Sequence, residues 1–226
     1  MSTPNFIAIT AANCPAASKS AALQEMSQFA QDCRENGAVR VTYGSVISGR
    51  HPGALVFVQF FDDLQGFEGV MNMIPQSSAY LRMVNYHAVT PFSRNVFRGK
   101  PIEFEPKLGP TPKYLMLTRA HRRSLEESAM LDLLNKTAPV FKSSGAQTMR
   151  MGQTFTGSDL GSYMLGVTYP DMSAIERTYD ALAASPEFGQ LMNGLVFLLL
   201  NRSLLNLHFS LPQLYQLFQK LLPYHV

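Results

Sequence analysis

The chain has 226 residues, of which 46% are apolar and 15% charged, and a formal net charge of +3. That balance supplies a full core and excludes an intrinsically disordered chain. There is no Trp and no basic run laced with aromatics, so a nucleic-acid partner is not expected.

Residues 1 to 5 carry no basic region leading into a long apolar stretch, so no signal peptide and a cytoplasmic location are expected. Phe6 to Thr10 is a short apolar run and reads as a strand. A helix follows, with Leu23, Met26, Ala30 and Cys33 spaced 3, 4 and 3 apart on one face. Cys14 and Cys33 bracket it; about 18 helical residues would hold them roughly 27 Å apart, beyond disulfide reach. Free thiols in a reducing compartment are the simpler expectation. Gly37 ends the helix, as glycine does in a left-handed C-terminal position. A hairpin comes next: Val39 to Ile47, the turn Ser48 to Gly53, then Leu55 to Phe61. The second of these strands is almost continuously apolar, which predicts cover on both faces. Helical residues open near Asp63, reach Pro75 and resume near Ser77, and a last strand covers Val89 to Phe97. Gly99 to Pro112 holds four prolines and reads as a stiff extended linker.

The succession then recurs without a gap, 108 residues further on. Gly37, Gly44, Gly49 and Gly53 return as Gly145, Gly152, Gly157 and Gly161. Asp63 returns as Asp171, Ser77 as Ser185, Asn85 as Asn193 and Arg94 as Arg202. Matched glycines imply matched turns. The second copy reads as strand Tyr114 to Thr118, a helix whose stripe is Leu131, Leu134, Ala138 and Phe141, a hairpin from Gln147 to Tyr169, and a last strand from Phe197 to Leu205. Ser124 to Glu127 fits a capping box, and Pro139 predicts a kink. Leu191 to Phe209 is apolar but broken by Asn193, Asn201, Arg202, Asn206 and His208, so no membrane span is expected. Residues 208 to 226 predict an amphipathic helix with one charge, Lys220. It could dimerise the chain or dock on its own body; it carries too little charge for electrostatic membrane attachment.

Each copy therefore runs β-α-β-β-α-β, the split βαβ order. In this order, duplication and interrupted second helix, the chain resembles the dimeric α-β barrel superfamily over about residues 5 to 98 and 113 to 206. The resemblance implies an α+β fold of two tandem ferredoxin-like βαββαβ domains, 1–98 and 113–207, packed sheet against sheet as an intrachain pseudo-dimer. Residues 99–112 would link them and 208–226 would form the terminal helix. It also implies a small-molecule cleft between helices and sheet in each half. The superfamily includes cofactor-independent monooxygenases, haem degraders, cyclases and isomerases, so fold follows from it more firmly than function. A cofactor-free monooxygenase acting on a small apolar or aromatic substrate is the leading expectation. A non-catalytic pair binding a ligand or a protein partner is the alternative.

Two groups of residues are candidates for chemistry. Asn85, Tyr86 and His87 close the first copy's helical layer; His87 could act as a general base, with Asn85 and Tyr86 orienting a substrate oxygen. The second copy has Asn193, Gly194 and Leu195 there, so His87 could equally be a helix-end residue favoured by the dipole, and Asn85 a cap. Arg119, His121, Arg122 and Arg123 precede the second copy's first helix and could hold a carboxylate or phosphate, or form a solvated loop neutralised by Glu126 and Glu127. Arg94 and Arg202 could pair across the pseudo-twofold axis or point outwards. Met71, Met73 and Met83, with Phe67 and Tyr80, could shape a pocket for a flat ligand or be plain core. Haem degraders of the superfamily use an Asn on the first strand; Phe6 to Thr10 has none, and Asn13 is expected in the following loop. No metal-ligand spacing, nucleophile elbow or phosphate loop is present, so no cofactor is expected.

Overall fold

The computed structural model describes residues 4–107, 109–196 and 202–208. The first half comprises β1 (Phe6–Asn13), α1 (Lys19–Glu35), β2 (Arg40–Ser48), β3 (Leu55–Phe61), α2 (Leu64–Met73), α3 (Ser78–Asn85) and β4 (Thr90–Lys100). The second comprises β5 (Tyr114–Arg122), α4 (Glu127–Ser144), β6 (Thr148–Thr156), β7 (Tyr163–Tyr169), α5 (Met172–Ala183), α6 (Pro186–Gly194), the two-residue β8 (Leu195–Val196) and β9 (Arg202–His208).

The repeated polar residues act at helix starts. Asp63 and Asp171 accept hydrogen bonds from the amides of Gly66 and Ala174, at 2.8 and 2.7 Å. Ser77 and Ser185 do the same for Tyr80 and Phe188. Each cap satisfies an amide with no partner inside its helix. The expected capping box at Ser124 does not form: α4 starts at Glu127, with Glu126 at its cap and no side-chain cap bond. It then continues through Pro139 to Gly145 at φ +115°.

Within each half the strands pair as β4-β1-β3-β2 and β9-β5-β7-β6. Two seams join them: β2 pairs with β9 and β4 with β6. The eight long strands therefore close into one antiparallel barrel, rather than two sheets stacked without shared hydrogen bonds. Gly44 faces Leu207 across one seam and Gly152 faces Gly99 across the other. A Cβ on Gly44 would collide with the Asn206 carbonyl oxygen, so only glycine lets that seam close.

The continuous apolar run of β3 has the predicted double cover, and all seven of its residues are buried. Leu55, Phe57 and Phe61 pack under the first half's helices with Met26, Phe29 and Met83. Val56, Val58 and Phe60 face the barrel interior with Leu115, Leu117, Leu205 and Leu207, drawn from the other half. Burying such a side chain stabilises by about 1.5–3 kcal/mol, so the shared interior ties the halves together. A third cluster lies under the second half's helices and includes Met130, Phe141 and Tyr163. Phe104, from the proline-rich stretch, is buried in this cluster, and Ile102 packs against it. Lys107 and Lys113 donate backbone hydrogen bonds to Gln147 and Tyr169. This segment is therefore anchored along the second half. No described helix is long and apolar enough to cross a membrane. The expected C-terminal helix and residues 197–201 of the expected last strand lie outside the described residues; the described strand there is Arg202–His208.

Candidate functional site

On each strand side chains alternate between the barrel interior and the helix-covered face. On β1, Thr10 falls with Ala8 and Ala12 on the helix side; on β4, Arg94 falls there with Val96. They meet at a cleft under α1 and α3, walled by Met26, Phe29, Phe57, Tyr80 and Met83, with Gln59 at its floor. The Phe29 ring lies 4.9 Å from Phe57 and 5.4 Å from Tyr80, centre to centre. Arg94 stands exposed at the mouth. Its Nε donates to Thr10 Oγ1 at 3.0 Å and a terminal nitrogen reaches Met71 Sδ at 2.9 Å. Gln59 is buried and donates to Cys33 Sγ at 3.2 Å.

The second half repeats the arrangement 108 residues on. Thr118 and Arg202 line a cleft walled by Met130, Phe141, Leu165 and Phe188. Tyr179 takes the place of Met71, and the Arg202 guanidinium lies 4.4 Å from its ring centre. Burial pushes the Tyr179 phenol up, while Arg202 and a hydrogen bond with Thr118 draw it back. The cavities are small, about 40 Å³ in the first half and about 50 Å³ in the second. A water occupies about 10–15 Å³ of such space, so each holds a few waters until its side chains move. Arg94 and Arg202 thus do not pair with each other; each lines the mouth of its own cleft. The repeated Thr10 and Thr118 carried the same signal in the sequence.

The residues expected to carry chemistry lie elsewhere. Asn85 ends α3, Tyr86 is 78% exposed and His87 is half-buried just beyond. None of the three lines a cleft. His87 is close enough to Glu25 to help hold that carboxyl below its ordinary value, behind the larger effect of the Arg82–Glu25 ion pair at 2.8 Å. Ala88 follows at φ +51°, a left-handed turn that closes the helix. Met83 and Tyr80 line the first cleft and Met71 meets Arg94, whereas Met73 and Phe67 only pack against the core.

The four basic residues do not form one site. Arg119 and His121 alternate with Thr118, Ala120 and Arg122 along β5, so the two sets face opposite sides. Arg119 pairs with Asp159 at 2.8 Å and lies over Phe97. Arg122 reaches Glu126 at 3.7 Å, and the Arg123 amide bonds the Gly194 carbonyl. Asn13 belongs to β1 after all, but it is exposed at the strand's end and outside the cleft. Among the described residues neither cleft is lined by a histidine, so these residues do not fit a haem held through imidazole. Among the described residues no three His, Cys, Asp or Glu gather to hold a metal.

The sequence matches a family described as a domain of unknown function (DUF6854) over residues 4–99 and 112–206. No curated protein matches it. Solved structures share its α-β barrel fold. One is a protein assigned provisionally as a monooxygenase from Fusobacterium nucleatum, with a TM-score of 0.60 at 8% identity, covering 92% of this chain and 94% of that one. Chlorite dismutase from Candidatus Nitrospira defluvii, in complex with imidazole, gives 0.62 at 9% identity, covering 97% and 96%. An anthrone oxidase-like protein gives 0.56 at 10% identity, covering 91% and 92%.

Proposed function

The chain belongs to the DUF6854 family of domains of unknown function, and from that starting point we propose that its clefts bind small, flat, apolar ligands carrying an acidic oxygen. In this reading the chain is a tandem pseudo-dimer of ferredoxin-like units, 1–98 and 113–207, with 99–112 between them and one cleft in each. The observation that carries it is the Thr–Arg pair at the mouth of both clefts, Thr10 with Arg94 and Thr118 with Arg202. Apolar walls hold the ring by burial, and the guanidinium at the rim holds a carboxylate or enolate. A hydrogen bond to an ionised oxygen is about twice as strong as a neutral one. Arg94 is already oriented through Nε by Thr10, so it loses less freedom on binding. Entry of a ring requires Met26 and Met83 to swing aside, and an unbranched thioether side chain adapts readily.

Binding without catalysis is the primary reading, because no carboxylate and no histidine among the described residues lines either cleft. A cofactor-independent monooxygenase is the second, favoured by that same cation in an apolar setting. Such a reaction starts from a deprotonated, electron-rich substrate that passes electrons to oxygen. Arg94 would stabilise the enolate, so a substrate acidic enough to ionise in solution would need no protein base. His87, with Asn85 and Tyr86, would serve as base only for a substrate extending over the end of α3.

Titration calorimetry with 2-naphthoate and its neutral amide tests the binding, and oxygen uptake with anthrone tests the chemistry. Tighter binding of the acid, lost in Arg94→Met, supports the ligand reading. Uptake above the spontaneous rate, also lost in that variant, selects the second. Failure of all three compounds to bind sinks both.

A further inference from the structure

One end of the barrel interior holds two arginines that the clefts do not use. Arg40 lies on β2 and Arg150 on β6, strands that stand diametrically opposite in the eight-strand circuit. Val41 and Tyr43, the odd-numbered neighbours of Arg40, pack on the helix side, which turns Arg40 inward. Its guanidinium lies 4.1 Å from the ring centre of Phe60, itself part of the interior cluster. Met149 and Met151 likewise pack under the second half's helices and turn Arg150 inward. Both residues sit near the end of the barrel where β1, β2, β5 and β6 begin.

Among the described residues neither cation has a counter-charge. The described ion pairs include no acid on Arg40 or Arg150, and the Nε of each is buried without an acceptor. Arg150 does donate one terminal hydrogen bond, to its neighbour's carbonyl on Met149, at 3.1 Å. Burial, and then the charge of Arg150, pushes Arg40 down to about 10, and burial pushes Arg150 down as well. At the opposite end of the barrel the Nε of interior-facing Arg119 is likewise buried without an acceptor, but its charge is neutralised by Asp159. The two arginines are not products of the duplication either. The position equivalent to Arg40 is Thr148, and that equivalent to Arg150 is Thr42, so each half contributes one arginine at a different register.

Two like charges facing each other with buried, unpaired donors cost stability unless an anion joins them. We propose that this end of the barrel is an anion site in which Arg40 and Arg150 clamp a phosphate group, free or as the terminal monoester of a small molecule. A phosphate carries about two charges at neutral pH and several acceptor oxygens, matching two guanidiniums that present fork-like donors from opposite walls. The site is separate from both clefts and does not depend on the reading given for them.

The test is phosphorus NMR titration of the full chain with inorganic phosphate and with glycerol 3-phosphate, at constant ionic strength balanced with chloride. The expected result is saturable one-to-one binding that weakens at least ten-fold in Arg40→Met and in Arg150→Met but not in Arg82→Met. Binding of phosphate alone would mark a site closed around a free ion, and binding of both would mark one open to monoesters. Melting supplies the second readout. Without phosphate the two methionine variants should melt above the parent, because an uncompensated buried charge is gone; millimolar phosphate should narrow or reverse that gap. No saturable binding by the parent, or binding unchanged in both interior variants, overturns the proposal. A melting gap that ignores phosphate does the same.

Discussion

Arg94 and Arg202 stand 108 residues apart in the sequence and guard equivalent clefts with different partners. Arg94 is held by the Thr10 hydroxyl and the Met71 sulfur, whereas Arg202 lies on the Tyr179 ring. One register of the repeat thus places a cation at each mouth, and one substitution, Met for Tyr, changes how tightly it is held. Arg94→Met should weaken 2-naphthoate binding at the first cleft ten-fold or more, since a hydrogen bond to a charged group is worth about 1.5–3 kcal/mol. Arg202→Met should lower the melting temperature further than Arg94→Met, because it loses a cation–aromatic contact of about 0.5–1 kcal/mol, whereas water can take over the hydrogen bonds of the exposed Arg94. Calorimetric titration and thermal melts of the two variants check both. Equal melting temperatures would remove the asymmetry argued from Tyr179.

The seam glycines predict a contrast within one residue type. Gly44→Ala places a methyl group against the Asn206 carbonyl, and Gly157→Ala forces alanine into φ +117° while pressing on Asn95. Each should cost about 1–3 kcal/mol, through overpacking in the first and left-handed strain in the second. Gly189 sits in α6 with nothing within 4 Å of its missing Cβ. Gly189→Ala should therefore stabilise by about 0.5–1 kcal/mol, as it does in an open helix interior. Urea unfolding of the three variants measures this. A Gly44→Ala protein as stable as the parent would mean that the β2–β9 seam can open without loss.

Much of the fold was legible because its determinants are local or repeated. Asp63, Asp171, Ser77 and Ser185 cap helices through bonds that span three residues, a pattern that sequence spacing records directly. The double cover of β3 followed from its unbroken apolar run. Ser124 was misleading because the backbone hands the start of α4 to Glu127, whose carboxylate is engaged by Lys100 and Tyr163. Phe104 gave no signal among prolines that it would be buried. The site was harder still. Asn85, Tyr86 and His87 drew notice for their chemistry, but a residue's type does not say which face it occupies; the alternation of β1 and β4 put Thr10 and Arg94 in the cleft instead. The Arg40–Arg150 pair escaped notice because it joins opposite walls of a closed barrel and has no repeat partner.

The two thiols should react at very different rates. Cys33 is buried on the inner face of α1, and burial pushes its thiol up to about 12, against a smaller opposing effect of the Gln59 hydrogen bond. Only the thiolate attacks a disulfide reagent, so at pH 8 Cys33 is both shielded and almost wholly protonated. Cys14 is half-buried, and burial raises it too, with Lys19 opposing. An aromatic disulfide reagent at pH 8 should titrate one thiol per folded chain, and a second only in denaturant. Cys14→Ser should abolish the native-state reaction. Reaction of both thiols at one rate in the folded chain would contradict the packing of α1 on the sheet.

Glu127 carries the clearest pH dependence. Its two carboxylate oxygens accept from Lys100 Nζ at 2.7 Å and from Tyr163 Oη at 2.6 Å, joining the end of β4 to α4 and β7. The Lys100 bond, then the Tyr163 bond, holds this carboxyl below its ordinary value, while partial burial opposes them. A carboxyl so held releases its proton more readily folded than unfolded. Its contribution is complete above the ordinary value near 4.5 and is lost as pH falls through the lowered one. The side chains are partly exposed, which limits the ion pair to about 0.2–1 kcal/mol. Glu127→Gln should therefore be less stable than the parent at pH 7, and the gap should shrink as pH falls below 4.5 and close once the parent's carboxyl is protonated. Chemical unfolding of both proteins between pH 7 and pH 3 reads the gap directly. A gap that stays constant across that range would mean that Glu127 acts through packing, and its charge through nothing.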